Sequence, residues 1–214
     1  AEACYHLSYG MVDLPSGKMK SREGTVVDAD DLMDEVVASA TAMTQERGHI
    51  EGMTDEDKEK LYRRIGMGGL KYYLLKVDPK KRMLFNPEES IELTGNTGPF
   101  IQYAYARIQS LLRKAGTIGE AGNTVPGADE KEIIKQLTLY PAVIEEAAAS
   151  YSPAVVINYT YELVKTFSNF YQNVKVNSEP DAGLRKLRLV ICENVGKVVA
   201  NSMQLIGVEV PERM

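Results

Sequence analysis

Residues 17–24 read Gly17-Lys18-Met19-Lys20-Ser21-Arg22-Glu23-Gly24, three cations and a hydroxyl enclosed by two glycines. A loop of this composition is able to close over a polyphosphate. Lysines act there as point charges against the negative charge that builds on a leaving pyrophosphate, and a serine hydroxyl and backbone N–H groups add hydrogen bonds. The pattern is not a Walker loop, since GxxxxGK[ST] occurs nowhere in the chain. The same residues also suit a solvated basic turn, and composition alone does not separate the two readings.

A second group lies near the junction of the last two helical patterns, where Tyr171, Lys175, Asn177, Arg185, Lys186 and Arg188 fall close together. Residues 165–188 hold five bases against two acids. Positive charge beside an aromatic edge suits single-stranded RNA, whose bases stack on rings and whose phosphates need countercharge. Spacing makes the stripe Tyr159, Tyr161, Phe167, Phe170 and Tyr171 mostly core, with only its edge tyrosines free to stack. A third feature is Gly66, Gly68 and Gly69 inside a helical segment, each costing about 1 kcal/mol against alanine. They mark either a kink or the close approach of another backbone.

These groups must be positioned by a chain of 214 residues with 44% hydrophobic residues, enough for one large domain or a medium one with an appendage. The net charge is −5, which argues weakly against a nucleic-acid binder. Local patches run the other way: residues 58–82 hold nine bases against two acids, while residues 28–35 hold five acids and no base. No apolar run approaches the roughly 18 residues of a membrane span, and no signal-peptide pattern is present. Cys4 and Cys192 are too few for a disulfide framework or a zinc cluster, so the expected setting is a reducing cytoplasm with no metal centre.

Residues 5–12 form a β-compatible run, Pro15-Ser16-Gly17 a turn, and Thr25-Val26-Val27 a second short strand. Helical periodicity takes over after Asp28. Thr54 with Asp57 has capping-box spacing. Ile101, Tyr105, Ile108, Leu112 and Ala115 make one stripe between Pro99 at a first-turn position and Gly116 at a stop. Pro141 splits residues 129–150 into two shorter helices. Ser152-Pro153 opens the next, and residues 178–206 form the last before Gly207. The expected fold class is mainly α, a helical bundle with a small β/loop piece at the N-terminus.

The block His6-Leu7-Ser8-Tyr9-Gly10-Met11-Val12, followed by Lys18-Met19-Lys20-Ser21-Arg22-Glu23-Gly24-Thr25-Val26-Val27, resembles the KMSKS region of an arginyl-tRNA synthetase, a class I aminoacyl-tRNA synthetase. With Lys18 and Met19 aligned on the motif, Ser21 stands where the motif has its second lysine. Phe85-Asn86-Pro87-Glu88-Glu89 and Gly95-Asn96-Thr97-Gly98-Pro99-Phe100-Ile101-Gln102-Tyr103-Ala104-Tyr105-Ala106-Arg107-Ile108 resemble the block that opens the family's anticodon-binding helical domain. Leu205-Ile206-Gly207-Val208 and Pro211-Glu212-Arg213-Met214 are similar to the family's C-terminus.

The resemblance implies that residues 1–27 end a catalytic domain, 28–97 form a helical connecting and stem-contact region, and 98–214 form the anticodon-binding bundle. It implies Lys18, Lys20 and Ser21 as catalytic, and His6, Met11 and Val12 as walls of an ATP site, although His6 reads equally as a packed histidine. It implies Tyr171, Lys175, Asn177, Arg185, Lys186 and Met214 as contacts to tRNA. The implied partners are tRNA(Arg), L-arginine and ATP with Mg2+, with neither a membrane nor DNA. The HIGH signature is missing from these residues, so the chain is expected to be a C-terminal fragment without ligase activity of its own. The competing expectation is a stand-alone helical RNA-binding module without chemistry.

Overall fold

A computed structural model of the chain describes residues 4–15, 28–47, 50–119 and 122–214. Among them the elements run β1 (Val12–Asp13), α1 (Ala29–Arg47), α2 (Asp55–Leu75), β2 (Met83–Leu84), α3 (Pro87–Ser90), α4 (Gly98–Ala115), α5 (Ala128–Thr138), α6 (Tyr140–Ser150), α7 (Pro153–Asn173) and α8 (Ala182–Leu205). The fold is mainly α, as expected, and carries a two-stranded parallel sheet.

Local chemistry explains most boundaries. Thr54 caps α2 by accepting from the Asp57 N–H at 3.2 Å. The shorter aspartate takes the Thr54 hydroxyl at 2.8 Å instead of reaching back to the backbone as glutamate would. Thr97 caps α4, with Pro99 in the first turn and Gly116 at the stop with φ +73°. Pro141 stands in the first turn of α6, and only Leu139 separates that helix from α5.

Two expectations need correction. The last helix begins at Ala182 and not at Ser178, because Asp181 caps it through the Leu184 N–H at 2.7 Å. Pro180 just before biases Glu179 away from helical geometry. The front strand is only Val12–Asp13, paired in parallel with Met83–Leu84. Earlier in the run Gly10 donates to the Pro79 carbonyl, Tyr5 stacks on Tyr151, and Leu7, Tyr9 and Met11 stay exposed. The expected second strand at 25–27 lies outside the described residues.

Three apolar clusters hold the helices. The largest joins α4, α5, α7 and α8 through Ile108, Ile133, Leu163, Phe167, Val195 and their neighbours. A second gathers Ala40, Leu61, Ile65, Ile91, Ala106 and Met214, and a third gathers Leu14, Val36, Leu70, Tyr73 and Phe85. The glycines of α2 serve close approach. A Cβ at Gly66 would fall 2.8 Å from the Val37 Cα, one at Gly68 2.5 Å from the Gln102 Nε2, and one at Gly69 2.7 Å from the Ser90 carbonyl oxygen. α2 runs unbroken through all three.

Candidate nucleic-acid interface

Helix α4 offers two stripes. Ile101 and Ile108 are fully buried in the bundle core. Tyr103, Arg107, Ser110 and Lys114, at helical spacing, face a groove of about 720 Å³. The hinge between α7 and α8 supplies the opposite side with Tyr171, Lys175, Asn177 and Ser178, and the extended segment 207–214 adds Glu212, Arg213 and Met214.

The chemistry of the groove is cationic and aromatic. Arg107, Arg113, Lys114, Lys175 and Arg213 line it against one acid, Glu212. In a chain of net charge −5 this concentrates positive potential where an anion would enter. Arg107 holds its guanidinium carbon 4.8 Å from the Tyr103 ring centroid and 5.4 Å from that of Tyr171. Tyr171 is 38% exposed and leans on Phe167, with centroids 6.1 Å apart. Phe167, Phe170 and Tyr159 are core, which leaves Tyr161 and Tyr171 at the edges of the stripe, and of these Tyr171 lines the groove.

A buried ion network fixes the hinge. Arg188 donates to Glu130 at 2.7 Å, to Glu179 at 2.5 Å and to the Lys175 carbonyl at 3.0 Å. Burial alone would raise the Glu130 carboxyl, but the Arg188 guanidinium and the Gly127 N–H hold it below the usual carboxylate value. Asn177 donates to the Leu111 carbonyl at 3.2 Å, tying the hinge to α4.

Four of the six residues assigned to RNA, namely Tyr171, Lys175, Asn177 and Met214, therefore meet at one groove. Arg185 and Lys186 do not. They stand in the first turns of α8, where Lys186 lies against Gly119. Tyr103, Arg107 and Lys114 on α4 and Arg213 on segment 207–214 were missed; the spacing of 103, 107, 110 and 114 marks an outward stripe of α4 but not what that stripe faces, and Arg213 carries no such signal. Lys18, Lys20 and Ser21 lie outside the described residues. His6 is exposed and so is not a packed core histidine, and the Met11 carbonyl accepts from the Met83 N–H at 3.0 Å. Among the described residues no three His, Cys, Asp or Glu side chains converge as a metal site, and no helix is long and apolar enough to cross a membrane.

Residues 101–214 match the DALR anticodon binding domain, and residues 1–86 match the tRNA synthetases class I (R) catalytic domain. The chain is 54% identical over 215 residues to the arginine–tRNA ligase of Flavobacterium psychrophilum, covering 100% of this chain and 36% of that protein. It is 50% identical over 218 residues to the arginine–tRNA ligase of Parabacteroides distasonis, covering 98% of this chain and 36% of that protein. Its fold resembles the Thermus thermophilus arginyl-tRNA synthetase with a TM-score of 0.85 at 29% identity, over 98% of this chain and 35% of that one. The chain thus spans about a third of the length of the relatives it matches.

Proposed function

The chain belongs to the arginyl-tRNA synthetase family and carries its DALR anticodon binding domain over residues 101–214, and on that footing we propose that the groove between α4, the α7–α8 hinge and segment 207–214 holds the anticodon arm of an arginine tRNA. The observation that carries this reading is the lining itself, five cations to one acid around an exposed tyrosine. Lys175, Lys114 and Arg213 meet phosphates, Tyr171 stacks an unpaired base, and Asn177 and Met214 form the wall near the base edges. Residues 98–214 act as the anticodon-binding unit, 1–27 carry the end of the catalytic domain with its loop, and 28–97, most of which falls inside the catalytic-domain match over 1–86, connect the two.

In the parent reaction of this proposal, ATP and L-arginine give arginyl-adenylate and pyrophosphate, and arginine then passes to the 3′ end of the tRNA with release of AMP. Lys18 and Lys20 oppose charge on the departing pyrophosphate, Ser21 adds a hydrogen bond, and His6 with the backbone of Met11 and Val12 walls the adenine. Mg2+ enters on the ATP phosphates as part of that substrate. The 214 residues lack a HIGH block, so as a separate polypeptide they bind RNA without charging it, in a cytoplasmic setting.

The test is binding of the chain to an arginine-tRNA transcript and to a tRNA with another anticodon, at rising salt. Tighter binding to the arginine transcript supports the reading. Equal binding to both would leave a general RNA-binding module, and no binding at low salt would leave neither.

A further inference from the structure

We infer that Gln102 is a positioning residue for this groove: its buried amide clamps segment 207–214 onto α2, so that Glu212, Arg213 and Met214 stand as the groove's wall. The inference rests on the reading of the groove as an RNA site. Gln102 sits on the face of α4 that meets α2 and is fully buried. Its Nε2 donates to two carbonyls that belong to different parts of the chain, Arg64 in α2 at 3.1 Å and Glu209 in the extended segment at 2.7 Å. One side chain thus joins three segments.

Packing alone does not call for an amide here. The Gln102 Oε1 is buried without a hydrogen-bond partner among the described residues, a stranded acceptor that a methionine of similar length would avoid. The room for the amide is specific too, because a Cβ at Gly68 would fall 2.5 Å from Nε2. The two donated bonds are what the arrangement gains in exchange for the stranded oxygen.

What they hold is the base of the groove wall. Around Glu209 the segment is fixed again by Lys71 Nζ on the Gly207 carbonyl at 2.7 Å and by Arg64 Nε on the Glu209 carboxylate at 2.8 Å. Both of these are exposed bonds made by long cationic side chains, whereas the Gln102 bonds come from a fully buried side chain. One turn along α4, Ala106 packs against the buried Met214. The same helix therefore holds the segment at Glu209 and at Met214, with Glu212 and Arg213 projecting between them.

Of the cations assigned to phosphates, Lys114 and Lys175 are not on this segment and Arg213 alone is, which keeps two readouts separable. Gln102→Met removes both bonds at nearly constant volume, and Gly68→Ala displaces the same amide from α2 without touching the segment and with a gain in helix propensity. The probes are an RNA hairpin with the anticodon arm of an arginine tRNA and the same hairpin with a loop of uridines. Backbone amide exchange is followed at 207–214 in the free chain.

Both variants are expected to speed exchange at 207–214 and to lower the preference for the arginine hairpin at least fivefold, with the salt slope of binding flattened by no more than about 1, the share of Arg213. A merely structural residue would weaken both hairpins alike. Faster exchange with an intact preference would overturn the positioning role while leaving the groove reading in place, and unchanged exchange would overturn the clamp. A wild-type chain with no preference would sink the groove reading itself, and this inference with it. Gly68→Ala carries the test if Gln102→Met fails to fold.

Discussion

Arg107 holds its guanidinium carbon 5.4 Å from the ring centroid of Tyr171, joining α4 to the last turns of α7 across the floor of the groove. The pair presents a flat cation beside a flat ring, the surface on which an unstacked base can lie. Tyr171→Ala is expected to weaken binding of an arginine-tRNA transcript by about 1–3 kcal/mol at every salt concentration. Because Tyr171 is 38% exposed, its melting temperature should stay close to wild type. A large drop in melting temperature with unchanged binding would assign the ring to the core.

The cations divide by position. Lys175→Ala and Lys114→Ala should each flatten the log–log salt slope of tRNA binding by about 1, as expected for a lost phosphate contact. Arg185→Ala should leave the slope where it is, since Arg185 stands away from the groove lining. Titrations of the three variants over a salt series decide this, and a flattened slope for Arg185→Ala would place the RNA path along α8 instead.

The Arg188–Glu130 pair sets an acid limit. The folded-state carboxyl of Glu130 lies below its usual value, so its contribution is present above the unfolded value of about 4.3 and is lost as pH falls through the lower folded one. The wild-type melting temperature should fall on acidification through that window. Glu130→Gln should show less of that fall and cost about 1–3 kcal/mol near neutral pH, since Glu179 still faces Arg188. Arg188→Leu takes the cation from two carboxylates at once, leaving Glu130 with the Gly127 N–H and Glu179 with the Asp181 N–H, and should cost about 3–5 kcal/mol. Thermal scans over pH read both.

Gly66→Ala tests the helix crossing. Alanine gains about 1 kcal/mol of helix propensity, yet its Cβ would lie 2.8 Å from the Val37 Cα and 2.9 Å from the Val36 carbonyl oxygen. Backbone cannot step aside as a side chain can, so α1 and α2 must separate. A net destabilisation of about 1–3 kcal/mol is expected in urea unfolding. A stabilised variant would show that the crossing is looser than described.

In a full-length ligase that carries this segment, Lys18→Ala or Lys20→Ala should lower kcat in ATP–pyrophosphate exchange by roughly a hundredfold, with a smaller change in the KM for arginine. Full exchange activity in both variants would remove the phosphate role from residues 17–24.

Much of the fold was legible in the sequence because its signals are local. A cap at Thr54, a first-turn proline at Pro99, a break at Pro141 and stops at Gly116 and Gly207 each act on the residues beside them. The partner of the front strand was not legible. Met83–Leu84 is too short to show an alternation, and its pairing with Val12–Asp13 bridges about seventy residues. The same holds for the groove. Tyr171, Lys175 and Asn177 were readable as a basic, aromatic-edged hinge, but nothing local says that Arg107 from α4 completes it or that Arg185 turns away. Only packing the amphipathic faces of α4, α7 and α8 fixes those rotations, and the Gln102 amide then selects where segment 207–214 lies. Side-chain type and spacing determined which chemistry the chain carries; the burial of apolar stripes against one another determined which of those side chains meet.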